Sequence, residues 1–369
     1  MKYLRFDRVA LWAASLLLVA STAVGQDFSL APRAPEDGAS ICLAPKAQLE
    51  YKTPEERGFN AEYKPDVVKH GESECSHPTP IVFSWTQTGT APGAIVLQLA
   101  TAENFDGARD YPCGEESKVE VTNLKIGTTY YWRLKSGDYV SEARKFSTQY
   151  MLPQWYAVPG ISNVRDAGGW KAADGKKYKM GLVFRGTEFD QHHALTEEGK
   201  QFILNELGIK VDLDLRGHSE WKDAPDYWSP LGRDVKWINY PLGAYASIFS
   251  DEQKKLYRET FKTLADPNNY PMYIHCWGGA DRCGTLNMAI KSVLGCSDND
   301  IFTDYEMTTL STHGNRCIMS GAFQDMLKKF DEYGEKEDPF SVKFVNYLKA
   351  IGVTDEELDS IRNTLLEDE

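Results

Sequence analysis

Five residues separate Cys276 from Arg282, and an apolar run that ends in His275 comes directly before them. Two glycines within residues 277–281 allow a tight loop, and the apolar segment 286–294 after it predicts a helix. A loop that leads into a helix N-terminus points backbone N–H groups at an anion and lowers the pKa of a cysteine beside it. A guanidinium binds two phosphate oxygens at once. The spacing therefore predicts a thiolate nucleophile in a phosphate-binding loop, which is the equipment for phosphoryl transfer to sulfur.

This segment resembles the His-Cys-x5-Arg loop of the cysteine-dependent protein tyrosine phosphatases. Residues 163–169 read Asn-Val-Arg-Asp-Ala-Gly-Gly. They look like the Asn-x-Arg-Asp-x-Gly-Gly element that opens a group of bacterial tyrosine phosphatases related to the dual-specificity and lipid phosphatases. Segments 181–186 and 211–216, with Glu220 after the second, also fit that group. The resemblance spans about residues 159–310, and the order of its elements matches as well as their content.

The resemblance implies that Cys276 attacks phosphorus and that water then hydrolyses the thiophosphate. It implies phosphate binding by the loop residues Trp277, Gly278, Gly279, Ala280, Asp281 and Arg282. His275 is expected to tune the cysteine and brace the loop rather than to act as a base. Bracing of the loops, rather than substrate contact, is also expected for the buried-looking charged residues Arg165, Asp166, Arg185 and Arg216.

A leaving alkoxide or phenoxide needs a proton, so an acid must stand near the nucleophile. In the bacterial group that this sequence resembles, the acid lies at the position of Asp281, beside Arg282. Other tyrosine phosphatases carry an aspartate on a separate movable loop, for which Asp251, Asp234 or Asp226 could serve here. We expect Asp281 to be the acid; its alternative role is that of a structural acceptor that ties the loop together.

Two positions depart from the family pattern. Relatives that favour phosphoinositides often have a lysine where this chain has Ala280, so phosphotyrosine or another phosphomonoester is the expected substrate. After Arg282 the family usually has serine or threonine, whereas this chain has Cys283, and a thiol is a poorer hydrogen-bond donor. Breakdown of the thiophosphate is therefore expected to be slow. We hypothesise that Cys283 forms a reversible disulfide with Cys276 under oxidising conditions; the alternative is a packing role.

The chain of 369 residues is long enough for about two domains. Short strands are predicted at 81–85, 94–100, 119–121, 130–134 and 145–148, which suggests a small antiparallel sandwich over 65–148. Its segment 124–133, with Trp85 before and 146–148 after, looks like a fibronectin type III module. Residues 26–64 are predicted to be an irregular lead-in.

Strands and helices alternate over 149–369, which predicts an α/β domain with a central mixed sheet flanked by helices. Strands are expected at 209–215 and 272–275, and helices over 196–207 and 250–264. The helices predicted at 297–310, 320–333, 339–351 and 354–366 carry no obvious reactive group, and we expect them to build the core.

Residues 1–25 combine three basic residues and one acidic residue with an apolar run and small residues at its end, which predicts a signal peptide. We therefore expect an exported protein, periplasmic or secreted, without an integral membrane segment after cleavage. Removing that segment changes the net charge from −13 to −15, which disfavours nucleic acid as a partner. The expected partner is a phosphorylated protein or a small phosphomonoester; the sequence does not indicate an oligomeric state.

Seven cysteines are an odd count, as expected if one is a free nucleophile. Within each domain one disulfide is plausible, Cys75 with Cys113 and Cys296 with Cys317. No cluster has metal-ligand spacing, and the expected mechanism needs no cofactor.

Three rivals to a protein tyrosine phosphatase stay open at this point. The first is a phosphoinositide or inositol-phosphate phosphatase on the same domain. The second is a catalytically inactive, phosphate-binding domain beside an adhesive module, which retention of Cys276 and Arg282 argues against. The third, a sulfurtransferase, is disfavoured by the Asn-x-Arg-Asp-x-Gly-Gly element.

Overall fold

The structure is a computed structural model that describes residues 27–60, 74–220 and 228–368. The expected signal peptide and the candidate acid Asp226 lie outside the described residues. No helix in the described ranges combines the length and the hydropathy that crossing a bilayer requires.

Two β-sheets form the N-terminal part of the protein. The first has the strand order β1-β3-β6, and the second has the order β2-β9-β7-β4-β5, with β8 paired to β7. The strands are β1 (Ser29–Ala34), β2 (Ala39–Ile41), β3 (Ile81–Thr88), β4 (Ile95–Ala100), β5 (Arg109–Pro112), β6 (Lys118–Val121), β7 (Thr129–Ser136), β8 (Tyr139–Val140) and β9 (Arg144–Thr148). Alternate residues of β7, among them Trp132 and Leu134, face inward and meet Phe83 from the other sheet in one apolar cluster. The five strands predicted from the sequence are all present.

The lead-in predicted to be irregular over 26–64 contains regular elements within its described residues, 27–60. This stretch supplies β1, β2 and the short helix α1 (Lys46–Leu49), and β1 pairs antiparallel with β3 while β2 pairs parallel with β9. Both strands lie at sheet edges, where a proline such as Pro32 is tolerated because one side of the strand needs no partner. The prolines hide the alternation from a sequence pattern, although Leu30 is buried in the shared cluster.

The C-terminal part contains a five-stranded mixed sheet with the order β10-β12-β15-β13-β14. Its strands are β10 (Arg165–Asp166), β12 (Val183–Gly186), β13 (Val211–Asp214), β14 (Lys236–Asn239) and β15 (Met272–His275), and a separate pair is formed by β11 (Lys176–Tyr178) and β16 (Leu366–Asp368). Strands β12 to β15 run parallel, and only β10 is antiparallel to its neighbour. The α/β architecture predicted for this part is therefore observed.

Seven helices of the described residues accompany this sheet: α2 (Glu197–Asn205), α3 (Asp251–Leu264), α4 (Asp281–Leu294), α5 (Asp298–Glu306), α6 (Gly321–Phe330), α7 (Phe340–Ala350) and α8 (Asp355–Leu365). The residues at which the two predicted helices begin are caps, since the hydroxyls of Thr196 and Ser250 accept hydrogen bonds from backbone N–H groups of α2 and α3. Helix α4 is buried along nearly its whole length and packs against α5, α7 and α8. A helix that is enclosed on all sides is held in one position, and its N-terminus carries the candidate site.

The N-terminal part is joined to the C-terminal part by side chains of α1 and of the turns after it. The Gln48 amide donates to the Leu152 carbonyl at 2.6 Å and accepts from the Trp155 indole at 3.0 Å. Arg57 forms an ion pair with Glu306 in which both side chains are almost completely buried. This buried ion pair holds the segment around Arg57 in one orientation against α5.

No disulfide joins cysteines of the described residues, so the pairings predicted for Cys75 with Cys113 and Cys296 with Cys317 are wrong. The backbone N–H of Cys75 donates to the Leu310 carbonyl of the C-terminal part, whereas Cys113 packs on the N-terminal cluster. Cys296 belongs to the core around α4, and the sulfur of Cys317 accepts from the Met319 N–H. A disulfide needs two close Cα atoms, and these cysteines have been placed by different elements.

Candidate active site

Cys276 follows the last residue of β15, at the carboxyl edge of the parallel strands. Its side chain is 3% exposed. The chain then turns through residues 277–280 and enters α4 at Asp281. Buried strands on both sides and the enclosed helix behind it hold this loop, so the cysteine faces the positive end of the α4 dipole.

Gly279 is required by the path of the loop. Its φ angle is +64°, and a Cβ atom there would lie 2.2 Å from the carbonyl oxygen of Gly186. Any other residue would therefore have to displace the backbone of β12 as well as adopt a strained conformation. The loop can therefore turn tightly because Gly279 packs directly against Gly186.

Side chains of the upstream element hold the loop from behind. The Asn163 amide donates to the Gly278 carbonyl at 3.1 Å, and Arg185 Nη2 donates to the Gly279 carbonyl at 2.8 Å. Arg185 and Arg165 also bond to the same buried carboxylate, Asp304 of α5. The carbonyls of Gly278 and Gly279 are thus bonded from behind the loop, which fixes its path.

The remaining bracing candidates bond to the protein itself. Asp166 accepts from the backbone N–H groups of Gly168 and Gly181, and burial raises its pKa to about 7. The Arg216 guanidinium bonds to Asp214 at 2.9 and 2.8 Å, and to Glu188 at 2.9 Å. Contacts of this kind hold neighbouring segments together, as the proposed bracing of the loops requires.

The environment of Cys276 favours its thiolate form. The Cys283 side chain makes the largest contribution and lowers the pKa of Cys276. Burial raises this pKa, whereas the charge of Arg282 lowers it. Hydrogen bonds from the backbone N–H groups of Cys283 and Gly279 lower it further. Together they lower the pKa of Cys276 to about 6. Burial and the neighbouring thiolate raise the pKa of Cys283 well above its ordinary value, so Cys283 stays a thiol, and its single S–H donates either to Cys276 or to the Ile274 carbonyl, which lies 3.8 Å from its sulfur. At neutral pH the lowered pKa of Cys276 favours its thiolate form.

His275 lies below the loop as a buried cation. Its Nε2 is 2.8 Å from Asp212 Oδ1, and its Nδ1 is 3.8 Å from Asp214 Oδ1. Neither nitrogen has an aligned hydrogen-bond partner among the described residues, so both contacts are ion pairs. Burial alone would lower the pKa of His275, but the charges of Asp214 and Asp212 raise it to about 9. An imidazolium cannot accept a proton, which agrees with a tuning role and not with a base.

Glu220 positions Arg282 through a two-point contact. Arg282 Nη1 and Nη2 donate to the two carboxylate oxygens at 2.6 and 2.8 Å. Burial would lower the pKa of Arg282, but the bonds to Glu220 raise it above its ordinary value, as does the charge of Cys276. The guanidinium is thus oriented before any phosphate arrives.

Asp281 opens α4, and its carboxylate is occupied. Arg316 Nε and Nη2 donate to it at 2.6 and 2.9 Å, and the Tyr245 hydroxyl donates to the same Oδ1 as Nε. Of the rival acids, Asp251 has a side chain that is 97% exposed at the start of α3, and Asp234 is exposed before β14. Neither lines the cavity at Cys276, whereas Asp281 does.

That cavity has a volume of about 430 Å³. Most of its lining comes from the loop, namely Cys276, Trp277, Gly278, Ala280, Asp281 and Arg282. The other wall is formed by residues 312–314 and Arg316, between α5 and α6. Trp277 is 50% exposed there, with its ring centroid 6.2 Å from that of His313. The loop and an aromatic side chain thus line one small cavity.

The sequence analysis missed His313 and Arg316, because it assigned no chemistry to the chain after Leu294. A Cβ atom at Gly278 would lie 2.8 Å from His313 Nδ1, so the imidazole lies directly against the loop. Burial and His193 lower the pKa of His313 to about 4. In the sequence, His313 and Arg316 only weakly indicate a functional site. The packing of α5 is what brings the connection between α5 and α6 to the cavity. Among the described residues, no group of His, Cys, Asp and Glu side chains could hold a metal ion.

Residues 156–367, more than half of the chain, match the model of a family described as the tyrosine phosphatase family. The chain belongs to that family. The matched region contains the whole C-terminal sheet and every residue that lines the cavity at Cys276.

Among curated proteins, the chain is similar to one from Cupriavidus necator whose name suggests a tyrosine-protein phosphatase, with 25% identity over 171 residues. The match covers 40% of this chain and 61% of the length of that relative. Among solved structures, it is similar to the core catalytic domain of the PP-IP phosphatase Siw14 from S. cerevisiae in complex with citrate. The identity is 17%, the coverage 42% of this chain and 90% of that one, and the TM-score 0.28. A second structure, of the Siw14 catalytic core, has 16% identity, coverage of 47% and 93%, and the same TM-score. At that TM-score neither likeness carries an argument.

Proposed function

We propose that the protein hydrolyses phosphomonoesters through a cysteinyl-phosphate intermediate, and that protein phosphotyrosine is its substrate. The observation that carries this proposal is the placement of Cys276 and the pre-oriented Arg282 on the wall of one cavity, beside the N-terminus of α4, and the lowered pKa of Cys276 agrees with it. A thiolate alone could be a redox centre, but a pre-oriented guanidinium beside it fits a group with several anionic oxygens.

In the first step the Cys276 sulfur forms a bond to phosphorus while the bond from phosphorus to the leaving oxygen breaks. Arg282 and the loop N–H groups hold the three equatorial oxygens as charge develops on them. The leaving oxygen takes a proton from the expected acid, Asp281. Water then attacks phosphorus, the S–P bond breaks, and the thiolate is restored with release of phosphate.

Two features favour an aromatic phosphomonoester over a multiply phosphorylated ring. Trp277 offers a half-exposed indole at the cavity, on which a phenol can stack. The second cation of the cavity, Arg316, is already neutralised by Asp281, and position 280 is alanine rather than lysine. A phosphoinositide or inositol phosphate therefore meets fewer available charges than its phosphates need, and it is the second candidate.

The test compares wild type with Cys276→Ser on p-nitrophenyl phosphate, a phosphotyrosine peptide and an inositol phosphate, under reducing conditions. We expect turnover of the first two, and a loss in the variant of at least about a thousandfold, because a hydroxyl at that position is not ionised. Faster turnover of the inositol phosphate than of the peptide would favour the second candidate. Binding of phosphate or vanadate without any turnover by wild type would mean an inactive phosphate-binding domain.

We propose further that the protein is exported after cleavage of residues 1–25 and that the N-terminal sheets are a fibronectin type III module. The support is the pattern of the first residues, and the two sheets packed on one apolar cluster. Amino-terminal sequencing of protein from a periplasmic or culture fraction tests the first statement; a start at Met1 would contradict it.

A further inference from the structure

A groove of about 730 Å³ separates the N-terminal sheets from the C-terminal part. We propose that it holds the polypeptide on either side of the phosphorylated residue and selects substrates with basic side chains there. The inference rests on the proposed function and deepens it, because it names the class of phosphoprotein that the same site accepts.

The groove borders the cavity at Cys276. Thr312 lines both of them. His193 lines the groove, and its ring centroid is 5.0 Å from that of His313, which lines the cavity. A chain that places one side chain in the cavity therefore continues past these residues into the groove.

Both parts of the protein build the walls of the groove. Arg109 and Asn123 come from the N-terminal sheets and the turn after β6, while Ile161 and Phe202 come from the C-terminal part. The two walls are tied by Asn123, whose side chain accepts from the Ala157 N–H at 2.7 Å and donates to the Ala157 carbonyl at 2.9 Å. A groove that is held open before binding costs less ordering of the protein when a peptide enters.

The lining explains why the occupant is a peptide rather than a second phosphate. Its floor is mainly apolar, with Val158, Pro159 and Phe202, whereas an anion site would present converging cations and N–H groups. The Gln201 amide stands beside the apolar floor, where it donates to Glu197 and accepts from Asn205, and its second N–H can bond to a peptide carbonyl. Apolar surface with scattered polar groups is the usual composition of a site for an extended chain.

The charges of the lining specify basic flanks. Three carboxylates line the groove, those of Glu74, Glu198 and Glu206, and only Glu206 is matched by an arginine, Arg109, at 2.9 Å. The Glu74 carboxylate accepts from the Ser76 N–H and hydroxyl through Oε1, and its Oε2 is buried from solvent. Glu198 is exposed, so its carboxylate is the one that an incoming ammonium or guanidinium can reach. The negative groove repels acidic segments and free polyphosphates alike.

Two neighbouring glutamates of α2 provide a matched pair of variants. Glu198 lines the groove, whereas Glu197, in the same first turn and also exposed, bonds to Gln201 and does not line it. Glu198→Lys and Glu197→Lys each lose a favourable interaction with the helix dipole, and Glu197→Lys also loses the bond from Gln201, so the free energy of unfolding of both variants is measured alongside the kinetics. The substrates are a phosphotyrosine peptide with arginine flanks, the same peptide with glutamate flanks, and p-nitrophenyl phosphate.

We expect wild type to have the higher kcat/KM on the arginine-flanked peptide. Glu198→Lys should lower that value about fivefold, raise the value for the glutamate-flanked peptide, and leave p-nitrophenyl phosphate unchanged. Glu197→Lys should leave the ratio of the two peptides at the wild-type value. The difference between the peptides should shrink at about 1 M salt, where exposed charges are screened.

Equal effects of the two variants, or a wild-type preference for the glutamate-flanked peptide, would overturn the groove while leaving the phosphatase intact. If wild type turns over none of the three substrates, the proposed function fails instead. The groove is then judged by calorimetric titration of both peptides into wild type and Glu198→Lys. A preference for arginine flanks that Glu198→Lys removes supports it, and equal or absent binding of the peptides overturns it.

Discussion

Arg316 donates two charge-assisted hydrogen bonds to Asp281, from Nε to Oδ1 at 2.6 Å and from Nη2 to Oδ2 at 2.9 Å. The two residues come from different elements, the start of α4 and the connection between α5 and α6. The Tyr245 hydroxyl adds a third donor. An acid has to carry a proton where it meets the leaving oxygen, so part of this contact must open before Asp281 can donate.

If Asp281 is the acid, its replacement by asparagine should matter most for poor leaving groups. We expect Asp281→Asn to lower kcat about a hundredfold on phenyl phosphate, whose phenolate needs a proton, and much less on p-nitrophenyl phosphate. Steady-state kinetics on both esters measures the difference. Asp251→Asn, at a fully exposed position, is the control and should resemble wild type on both.

The competing role of Asp281 is that of a structural acceptor, and it gives a different pattern. In that case Asp281→Asn and Arg316→Gln should lower kcat by similar factors on both esters, since each removes the same two-point contact. Such a result would contradict the assignment of Asp281 as the acid and would reopen the search among the remaining aspartates.

The Cys283 thiol should be detectable as a determinant of the Cys276 pKa. Because its hydrogen bond is the largest contribution that lowers this pKa, Cys283→Ala should raise the pKa above about 6 and shift the acid limb of activity upward. The rate of iodoacetamide modification of Cys276 against pH, followed by peptide mass spectrometry, measures the shift. Cys283→Ser keeps a donor and should stay near wild type.

A control for this experiment is Cys296→Ala, since Cys296 lies in the core around α4. Its substitution should leave the pH dependence of Cys276 modification unchanged. If Cys283→Ala also leaves the profile unchanged, the hydrogen bond from Cys283 does not set the thiolate population, and Arg282 and the loop N–H groups carry that role.

Peroxide should convert the pair of cysteines to a disulfide. The Cys276 thiolate is oxidised to a sulfenic acid, and the Cys283 thiol then forms the S–S bond with release of water. Because burial keeps the pKa of Cys283 high, little of it is thiolate, and we expect this second step to be slow. With excess peroxide, Cys276 of Cys283→Ser should be oxidised further to a sulfinic acid, which dithiothreitol does not reduce, so activity should return with dithiothreitol in wild type and stay lost in the variant. Mass spectra with only sulfenic or sulfinic acid at Cys276 would exclude the disulfide.

Asp304 should be one of the costliest side chains to change in the protein. Its carboxylate bonds to Arg165 and Arg185 and accepts from Asn287, all of them buried. Asp304→Asn leaves two arginines without their counter-charge, so we expect a loss of about 3–5 kcal/mol in the free energy of unfolding. Urea denaturation measures it. Asp325→Asn, at an exposed surface pair, should change this free energy by less than about 0.5 kcal/mol.

The Asp304 carboxylate also makes the free energy of unfolding depend on pH. Burial alone would raise the pKa of Asp304, but the charges of Lys291, Arg165 and Arg185 hold it well below its ordinary value. A carboxyl with a depressed folded pKa stabilises the protein above its unfolded pKa of about 3.9, and this contribution fades as the pH falls below that value. Wild type should therefore lose more unfolding free energy than Asp304→Asn between about pH 5 and pH 2.5. Parallel losses would mean that other groups dominate acid unfolding.

The reactive loop was predictable because its chemistry is local. Cys276, Arg282 and the apolar residues of β15 lie within a dozen positions, and the strand bounds agree with the prediction residue for residue. The caps Thr196 and Ser250 were equally clear, since a cap acts on N–H groups within the next turn. Signals of this kind are complete within one stretch of sequence.

Other features depend on contacts that no stretch contains. Arg316 meets Asp281 across 35 positions of chain, and Glu220 meets Arg282 across 62. The disulfide predictions failed for the same reason, because they assumed that Cys75 belongs with the N-terminal sheets, while its backbone bonds to Leu310. Side chains that meet through helix packing leave no spacing rule in the sequence.

The buried pair of Arg57 and Glu306 bears on how the protein is made. The partners are 249 positions apart, so a ribosome has released the arginine long before it synthesises the glutamate. The N-terminal sheets can form while the chain is growing, but the segment around Arg57 cannot dock until α5 has emerged. Closing so long a loop is slow, and until then a cation and its apolar neighbours stay uncovered. Docking of this segment therefore has to follow the formation of α5.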